Sequence, residues 1–271
     1  MGFLEETAKE VLEFTTDAVF SERYARRDGL LQRVDPRLKV VSLVVLVATV
    51  VSLQNLRLIL AFYVLALLLA LLSNLPVKDF TRRVWVFVPV FTGIIAVPSI
   101  FMIPGEVAFK LPLGLTATWE GIHWAVLFTV RVATAVSYAV LFTMTSRWNE
   151  IISALASFRV PGMVITIATL TYRYIFLLSK LLLDAMHARR ARLAGELGMV
   201  ESWKEAGKHI GATFIKANSL GEDIYYAMLS RGYDNEVQPV GEFRFGGVDY
   251  AFSAFTVAVV ILAIVLTRGL P

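Results

Sequence analysis

Long apolar runs without charge divide this chain. Charged side chains are absent from residues 40–56, 58–77, 84–105 and 250–267. A helix that crosses a bilayer core of about 30 Å needs ~20 mostly apolar residues. The runs lie within or just under that length, so the pattern predicts an all-α integral membrane protein rather than a soluble domain.

Turn residues and interfacial aromatic residues place five predicted crossings. Pro89 and Pro98 fall inside the third crossing and are expected to kink it. The Pro- and Gly-containing segment 104–118 is predicted to be a loop, and Trp119 and Trp148 are predicted to anchor the fourth crossing at the membrane interfaces. The predicted crossings are residues 40–53, 58–72, 84–102, 119–145 and 250–267.

The positive charges fix a predicted orientation. With the N-terminus in the cytoplasm, 22 of the 26 Lys and Arg residues lie inside and three lie outside, while Arg131 lies within the fourth crossing. Cytoplasmic loops of membrane proteins carry such an excess. The same rule explains the net charge of +4 without nucleic acid, and it makes anionic lipid headgroups attractive partners.

Residues 160–179 do not fit this arrangement of crossings. The segment is apolar but contains Arg173 and opens with Pro161 and Gly162. If it crossed the membrane, the basic stretch 180–216 would move outside. We therefore predict a helix that lies against the cytoplasmic face or dips into it, and a sixth crossing is the alternative.

A repeated hexad lies in the predicted cytoplasmic segment. AMHARR at residues 185–190 and AMLSRG at residues 227–232 share the pattern Ala-Met-x-small-Arg, and each is predicted to end a helix. A guanidinium can clamp a carboxylate with two parallel hydrogen bonds, and two copies suit a partner with two similar subunits. The alternative is that arginine near a helix C-terminus only favours the helix dipole.

The hexads, with TYRYI at 171–175 and DPRLK at 35–39, resemble the transmembrane T component of energy-coupling factor (ECF) transporters. The likeness is greatest to the CbiQ-type protein of cobalt and nickel uptake, and it spans about residues 30–265. It implies a scaffold in a prokaryotic plasma membrane that joins two ATP-binding cassette ATPases to a separate substrate-binding membrane subunit, the S component. The resemblance implies no bound cofactor.

The resemblance also assigns residues. The first motif departs from the family's Ala-Arg-Gly pattern because Arg190 replaces glycine, so the first helix is expected to continue through residues 191–193. In the family the two arginines dock on the ATPases. The assigned coupling residues are Ala188, Arg189, Arg190, Ser230, Arg231 and Gly232.

These predictions divide the chain into four parts. Residues 1–39 form a cytoplasmic or interfacial segment, and residues 40–146 hold the first four crossings. Residues 147–247 hold cytoplasmic coupling helices, and residues 248–271 hold the last crossing. Apolar residues of 160–183 are expected to carry the substrate-binding partner.

The sequence lacks the residues that several other functions require. No Walker A loop accompanies the only Gly-Lys pair, at 207–208, so the chain is not predicted to hydrolyse ATP. Cysteine is absent and the three histidines are far apart in sequence, so neither a metal site nor a catalytic site is predicted. A T component for a vitamin importer remains an alternative, as does a stand-alone channel or secondary carrier, although the latter usually shows repeated membrane helices.

Arg131 has two readings. Charge within a bilayer is costly and often marks a functional site. The structural alternative, which we favour, is a pairing with Glu120, Glu150 or backbone carbonyl groups.

Overall fold

A computed structural model describes residues 24–110, 116–192, 198–233 and 245–269. Eight α-helices and one short hairpin form within these residues, after a 3-10 turn at Leu31–Arg33. In chain order they are α1 (Pro36–Ser52), α2 (Leu56–Leu72), α3 (Val77–Met102), β1 (Val107–Lys110), β2 (Thr116–Thr118), α4 (Trp119–Thr145), α5 (Trp148–Ser157), α6 (Gly162–Arg190), α7 (Met199–Ser230) and α8 (Gly247–Gly269).

The chain divides into two compact units. One, here called the insert unit, lies within Ile152–Gly241, and the other, the core unit, comprises Glu22–Ile151 and Glu242–Pro271. The insert unit therefore interrupts the core unit in sequence. Residues 1–23, and with them most of the predicted N-terminal segment, lie outside the described residues.

Helix α4 is central to the core unit. It contacts α1, α2 and α3, and α8 contacts α1. Its buried side chains include Tyr138, Leu141 and Met144, which belong to one apolar cluster with Ile59 of α2 and Phe80 of α3. The hydroxyl of Tyr138 donates to the carbonyl oxygen of Phe62 at 3.0 Å. Apolar packing and one buried polar bond thus join α4 to α2.

The outer surface of the core unit is also apolar. Ile94 of α3 is 71% exposed and Leu262 of α8 is 58% exposed, each among other exposed aliphatic residues. In water such a surface would be an aggregation site, whereas in a bilayer it contacts lipid at no cost. The chain is an all-α integral membrane protein.

In the part of the chain that the structure describes, four helical stretches are long and apolar enough to cross a membrane: Val77–Met102, Trp119–Thr145, Gly162–Ala188 and Gly247–Thr267. Leu56–Leu72 is a shorter apolar helix. Gly162–Ala188 contains the segment that we predict to stay on the cytoplasmic side, and that prediction stays open to test.

The helix starts differ from those predicted. α1 begins four residues early because Asp35 caps it, accepting a hydrogen bond from the amide of Arg37 at 2.8 Å, and Pro36 occupies its first turn. α3 begins at Val77 rather than at residue 84. The prediction missed its first two turns because they contain charged residues. The prediction that 104–118 is a loop was wrong in part: β1 and β2 pair antiparallel there.

A glycine allows the close approach of α4 to the end of α3. A Cβ built on Gly121 would lie 2.7 Å from the carbonyl oxygen of Ile100 and 2.8 Å from the hydroxyl of Thr118. That hydroxyl caps α4 by accepting from the amide of Gly121 at 3.1 Å. The hairpin and the α4 cap therefore share one tightly packed corner.

Arg131 has a structural partner. Its Nη2 donates to the carbonyl oxygen of Leu53 at 2.7 Å, just beyond the end of α1. Of the predicted alternatives, pairing with a backbone carbonyl is confirmed. The bond satisfies an acceptor at a helix end that is otherwise left unpaired.

Replacing Arg131 by methionine is therefore expected to destabilise the protein by about 1 kcal/mol, because the buried carbonyl of Leu53 loses its donor. The loss stays modest because the Nε of Arg131 is buried without a hydrogen-bond partner among the described residues, so its removal offsets part of the cost. Unfolding in mild detergent with increasing denaturant measures the change. Arg57→Met is the control, since Arg57 is an exposed arginine in the first turn of α2, four positions after Leu53. Equal stability of both variants would contradict the role of Arg131.

Candidate coupling site at two helix ends

The second hexad ends α7 with a tight and well-defined turn. Arg231 is the C-cap residue, and Gly232 follows with φ of 79°. The amide of Gly232 donates to the carbonyl of Leu229 at 3.0 Å, and the amide of Tyr233 donates to that of Met228 at 3.1 Å. This pair of bonds is the Schellman motif, which favours glycine at the left-handed position.

The functional groups of this turn point outward. Ser230, Arg231 and Gly232 are all exposed, and the Ser230 hydroxyl donates back to the carbonyl of Ala227 at 3.0 Å. The helix stop therefore fixes the backbone on which an exposed guanidinium is presented. The exposed Arg231 side chain can bind a carboxylate of another protein.

Tyr233, which the sequence analysis did not select, determines where this turn lies. The hydroxyl of Tyr233 lies 2.9 Å from the hydroxyl of Thr166, which is 8% exposed near the start of α6. The end of α7 is therefore attached to the start of α6. A polar aromatic residue directly after the Gly232 stop was the available signal, because residues at that position often pack back on the protein.

The first hexad lies at the opposite end of α6. That helix ends at Arg190, and the amide of Ala191 donates to the carbonyl of His187 at 3.0 Å. Ala188 and His187 are exposed, whereas Met186 is buried. Arg189 and Arg190 form the last helical residues, and their side chains lie outside the described part of the structure.

The expected continuation of α6 through residues 191–193 was wrong at its first step. Residues 191 and 192 already form a turn, and 193 lies outside the described residues. A further helical turn would align the side chains of Arg189 and Arg192 on one face. Like charges at this spacing destabilise a helix, so the basic sequence itself opposes the continuation.

The two motifs are consequently far apart. Thr166, which marks the end of α7, precedes Arg189 by 23 positions in the continuous helix α6. At 1.5 Å per residue, the separation along the helix is about 35 Å. Both motifs belong to the insert unit, but the structure does not bring them together into one site.

Groups suited to metal binding are not clustered in the described ranges. Among residues 24–110, 116–192, 198–233 and 245–269, no three His, Asp or Glu side chains lie close enough to hold an ion. The insert unit instead exposes apolar side chains on both long helices. On α6 these include Met163, Val164 and Ile167, and on α7 they include Trp203 and Phe214.

The chain is similar in sequence to a family of transport proteins and to several named relatives. The pattern of the family CbiQ, described as cobalt transport protein, matches residues 28–240. A protein of Methanocaldococcus jannaschii that is named only as uncharacterized is 46% identical, covering 98% of this chain and 92% of its own length. The energy-coupling factor transporter transmembrane protein EcfT of Thermanaerovibrio acidaminovorans is 27% identical over 78% of this chain and 81% of its own. The corresponding EcfT of Ruminiclostridium cellulolyticum is 25% identical over 78% and 82%. The chain belongs to the CbiQ family of cobalt transport proteins.

The left-handed turn gives a matched pair of stability predictions. Gly232→Ala is expected to cost about 1 kcal/mol, since an L-residue is disfavoured at positive φ. Gly221→Ala is expected to gain about 0.5–1 kcal/mol, because Gly221 lies inside α7 with open space around its Cα. Thermal unfolding of the two variants measures both changes, and shifts of the same sign would contradict the assignment of the turn.

Proposed function

We propose that this chain is the transmembrane coupling subunit of an ECF-type importer in a prokaryotic plasma membrane. Membership of a transporter family supports the general role, and EcfT relatives support an energy-coupling factor complex. In this proposal the chain does not hydrolyse ATP itself. Two ATPase subunits dock on the insert unit, with the N-terminus and the insert unit in the cytoplasm.

The observation that carries the proposal is the separation of two matching hexads at opposite ends of α6. Each hexad ends a long helix, and about 35 Å along the helix separates them. One small partner cannot cover both, whereas two similar partners can each take one. Closure of two ATPases on ATP changes the spacing of their docking sites, and a rigid pair of helices converts that change into motion.

The assigned docking groups are the small-Arg motifs. Arg231 is exposed on a fixed helix stop, and Arg189 lies in the last turn of α6. Arginine is the side chain best suited to a planar two-bond contact with carboxylate. Ala188, Arg190, Ser230 and Gly232 complete the two motifs, and their small members let a partner surface approach.

The substrate-binding membrane subunit is proposed to rest on the apolar surface of α6. Met163, Val164 and Ile167 are each more than half exposed near the start of that helix. Exposed aliphatic side chains of this kind favour an apolar partner over water. The cargo is proposed to be cobalt or nickel ion, and the family's description as cobalt transport protein supports the first of these.

A vitamin is the second candidate cargo. The relatives named EcfT carry a general energy-coupling name with no metal in it. A coupling subunit of that kind does not select the cargo, because selection belongs to the substrate-binding subunit. The core and insert units described here fit either cargo equally.

Purification of the tagged chain from its native membrane in mild detergent tests the proposal. We expect two nucleotide-hydrolysing subunits and a small hydrophobic protein to co-purify in constant ratio. Uptake of radioactive cobalt, nickel and water-soluble vitamins into vesicles that hold the complex then identifies the cargo. A chain that purifies without any ATPase, after chemical cross-linking as well, would refute the coupling role.

A further inference from the structure

A buried group of charged and polar residues lies at the point where the core unit is interrupted. Asp35, Lys39 and Asp249 are 7%, 4% and 4% exposed. They come from the starts of α1 and α8, and Thr145 ends α4 beside them. We call Asp35, Lys39, Thr145 and Asp249 the junction clasp.

Asp249 joins the start of α8 to the start of α1. Its Oδ1 accepts a hydrogen bond from the amide of Asp35 at 2.7 Å, across 214 positions of sequence. Its Oδ2 accepts from the amide of Gly246 at 2.8 Å, which is the reach-back bond of a capping box. One carboxylate therefore caps its own helix and attaches that helix to another.

Lys39 joins the start of α1 to the end of α4. Its Nζ donates to the carbonyl oxygen of Thr145 at 3.1 Å in a buried contact. A cation at a helix C-terminus is favourable, because the last carbonyl groups are unpaired there. The carboxylates of Glu150, Asp35 and Asp249 attract the same ammonium group, and the guanidinium of Arg147 repels it.

These contacts coincide with both chain connections to the insert unit. The chain leaves the core unit after Ile151, six residues beyond Thr145, and returns at Glu242, seven residues before Asp249. Without the clasp, movement of the insert unit would pull on two separate helix ends. With it, the end of α4 and the start of α8 are both held to α1.

We propose that the junction clasp makes three helices of the core unit respond together to movement of the insert unit, with Lys39 and Asp249 as positioning residues. The structural part, that the two helix ends are mutually dependent, stands on the contacts alone. The part concerning transport rests on the proposed function.

Two variants and one control test the structural part. Lys39→Met removes the donor and the charge at similar length, and Asp249→Asn keeps the shape but loses the charge and one acceptor. Ser42→Ala is the control, because Ser42 is buried on the same helix and, among the described residues, bonds only within that helix, to the carbonyl of Lys39 at 3.0 Å. Hydrogen exchange of the full chain in lipid nanodiscs reports on the amides at 143–149 and 246–252.

We expect each clasp variant to speed exchange at both helix ends by about tenfold or more, while Ser42→Ala speeds neither by more than about twofold. The key result is exchange at the end that the substituted residue does not contact. If Lys39→Met speeds exchange only at 143–149, and Asp249→Asn only at 246–252, the clasp is overturned. Should Lys39→Met not fold, the isosteric Asp249→Asn variant decides alone.

The complete complex tests the transport part. Clasp variants are expected to keep ATPase binding and ATP hydrolysis, and to import about tenfold less substrate per ATP hydrolysed, because motion is lost between the units. Unchanged import per ATP would overturn this part. If the unmodified chain binds no ATPase, the proposed function fails, and the exchange experiment still decides the clasp.

Discussion

The double variant Arg189→Glu, Arg231→Glu is expected to abolish ATP-driven uptake while leaving the protein folded in the membrane. Arg231 is exposed on the fixed turn after α7, so its replacement is expected to leave the contacts among the described residues intact. In the proposed complex each arginine meets a carboxylate on an ATPase. Removing one partner of a desolvated charge pair costs about 2–5 kcal/mol, and reversing the charge costs more.

The expected loss differs between single and double variants. A cost of about 2 kcal/mol weakens binding roughly 30-fold, so each single reversal is expected to weaken binding of one ATPase by at least that factor. The double variant then retains neither site. Binding of purified ATPase to immobilised chain measures the affinities, and vesicle uptake measures the consequence.

Lys216→Glu is the matched control for these variants. Lys216 is exposed on α7 and its reversal changes the net charge as much as reversal of Arg231, but it lies outside both hexads. Its binding is expected to change by less than about threefold, because exposed charges of this kind contribute through screened, long-range attraction. An equal loss in Lys216→Glu would mean that net charge, and not the hexads, attracts the ATPases.

The sequence predicted the apolar helices well, since lipid-facing segments are apolar on all sides and leave a strong signal. The fourth crossing, 119–145, was predicted with the bounds that α4 has. The errors fall at polar ends. The starts of α1 and α3 were placed late because charged residues such as Lys39 and Arg83 were assigned to loops, although helices continue into the interface.

Long-range polar pairs were beyond prediction from one sequence. The bond of Asp35 to Asp249 spans 214 positions, and that of Thr166 to Tyr233 spans 67. Neither pair belongs to a local sequence pattern from which the second residue could be predicted. The hexads were found because they repeat, and their helix-ending role depends on local rules for Gly232 and for arginine near a helix end. The wide separation of the two hexads could be derived only from the structure, through the contact of Tyr233 with Thr166.

The second large expected effect concerns the side of the membrane on which the insert unit lies. α6 contains a stretch, Gly162–Ala188, that is long and apolar enough to cross. A crossing would place the exposed Arg173 near the bilayer centre, with the ring of Tyr174 5.8 Å away. An arginine there costs about 2.5–3.5 kcal/mol on insertion scales. It would also export the basic residues that follow, against the positive-inside rule.

Single cysteines decide the matter without interference, since the natural chain has none. Phe158→Cys precedes α6 and Val200→Cys follows it in the first turn of α7, and both positions are exposed. Asp28→Cys and Gln54→Cys, also exposed, serve as the inside and outside references. A membrane-impermeant maleimide is applied to intact cells and to inverted vesicles.

We expect Phe158→Cys, Val200→Cys and Asp28→Cys to react in inverted vesicles only, and Gln54→Cys in intact cells only. The effect is all or none, because α6 either keeps its two ends on one side or separates them. Reaction of Val200→Cys together with Gln54→Cys would show that α6 crosses the membrane. Arg189, which lies in the last turn of α6, would then face away from any cytoplasmic ATPase, so this result would refute the docking role of the first hexad.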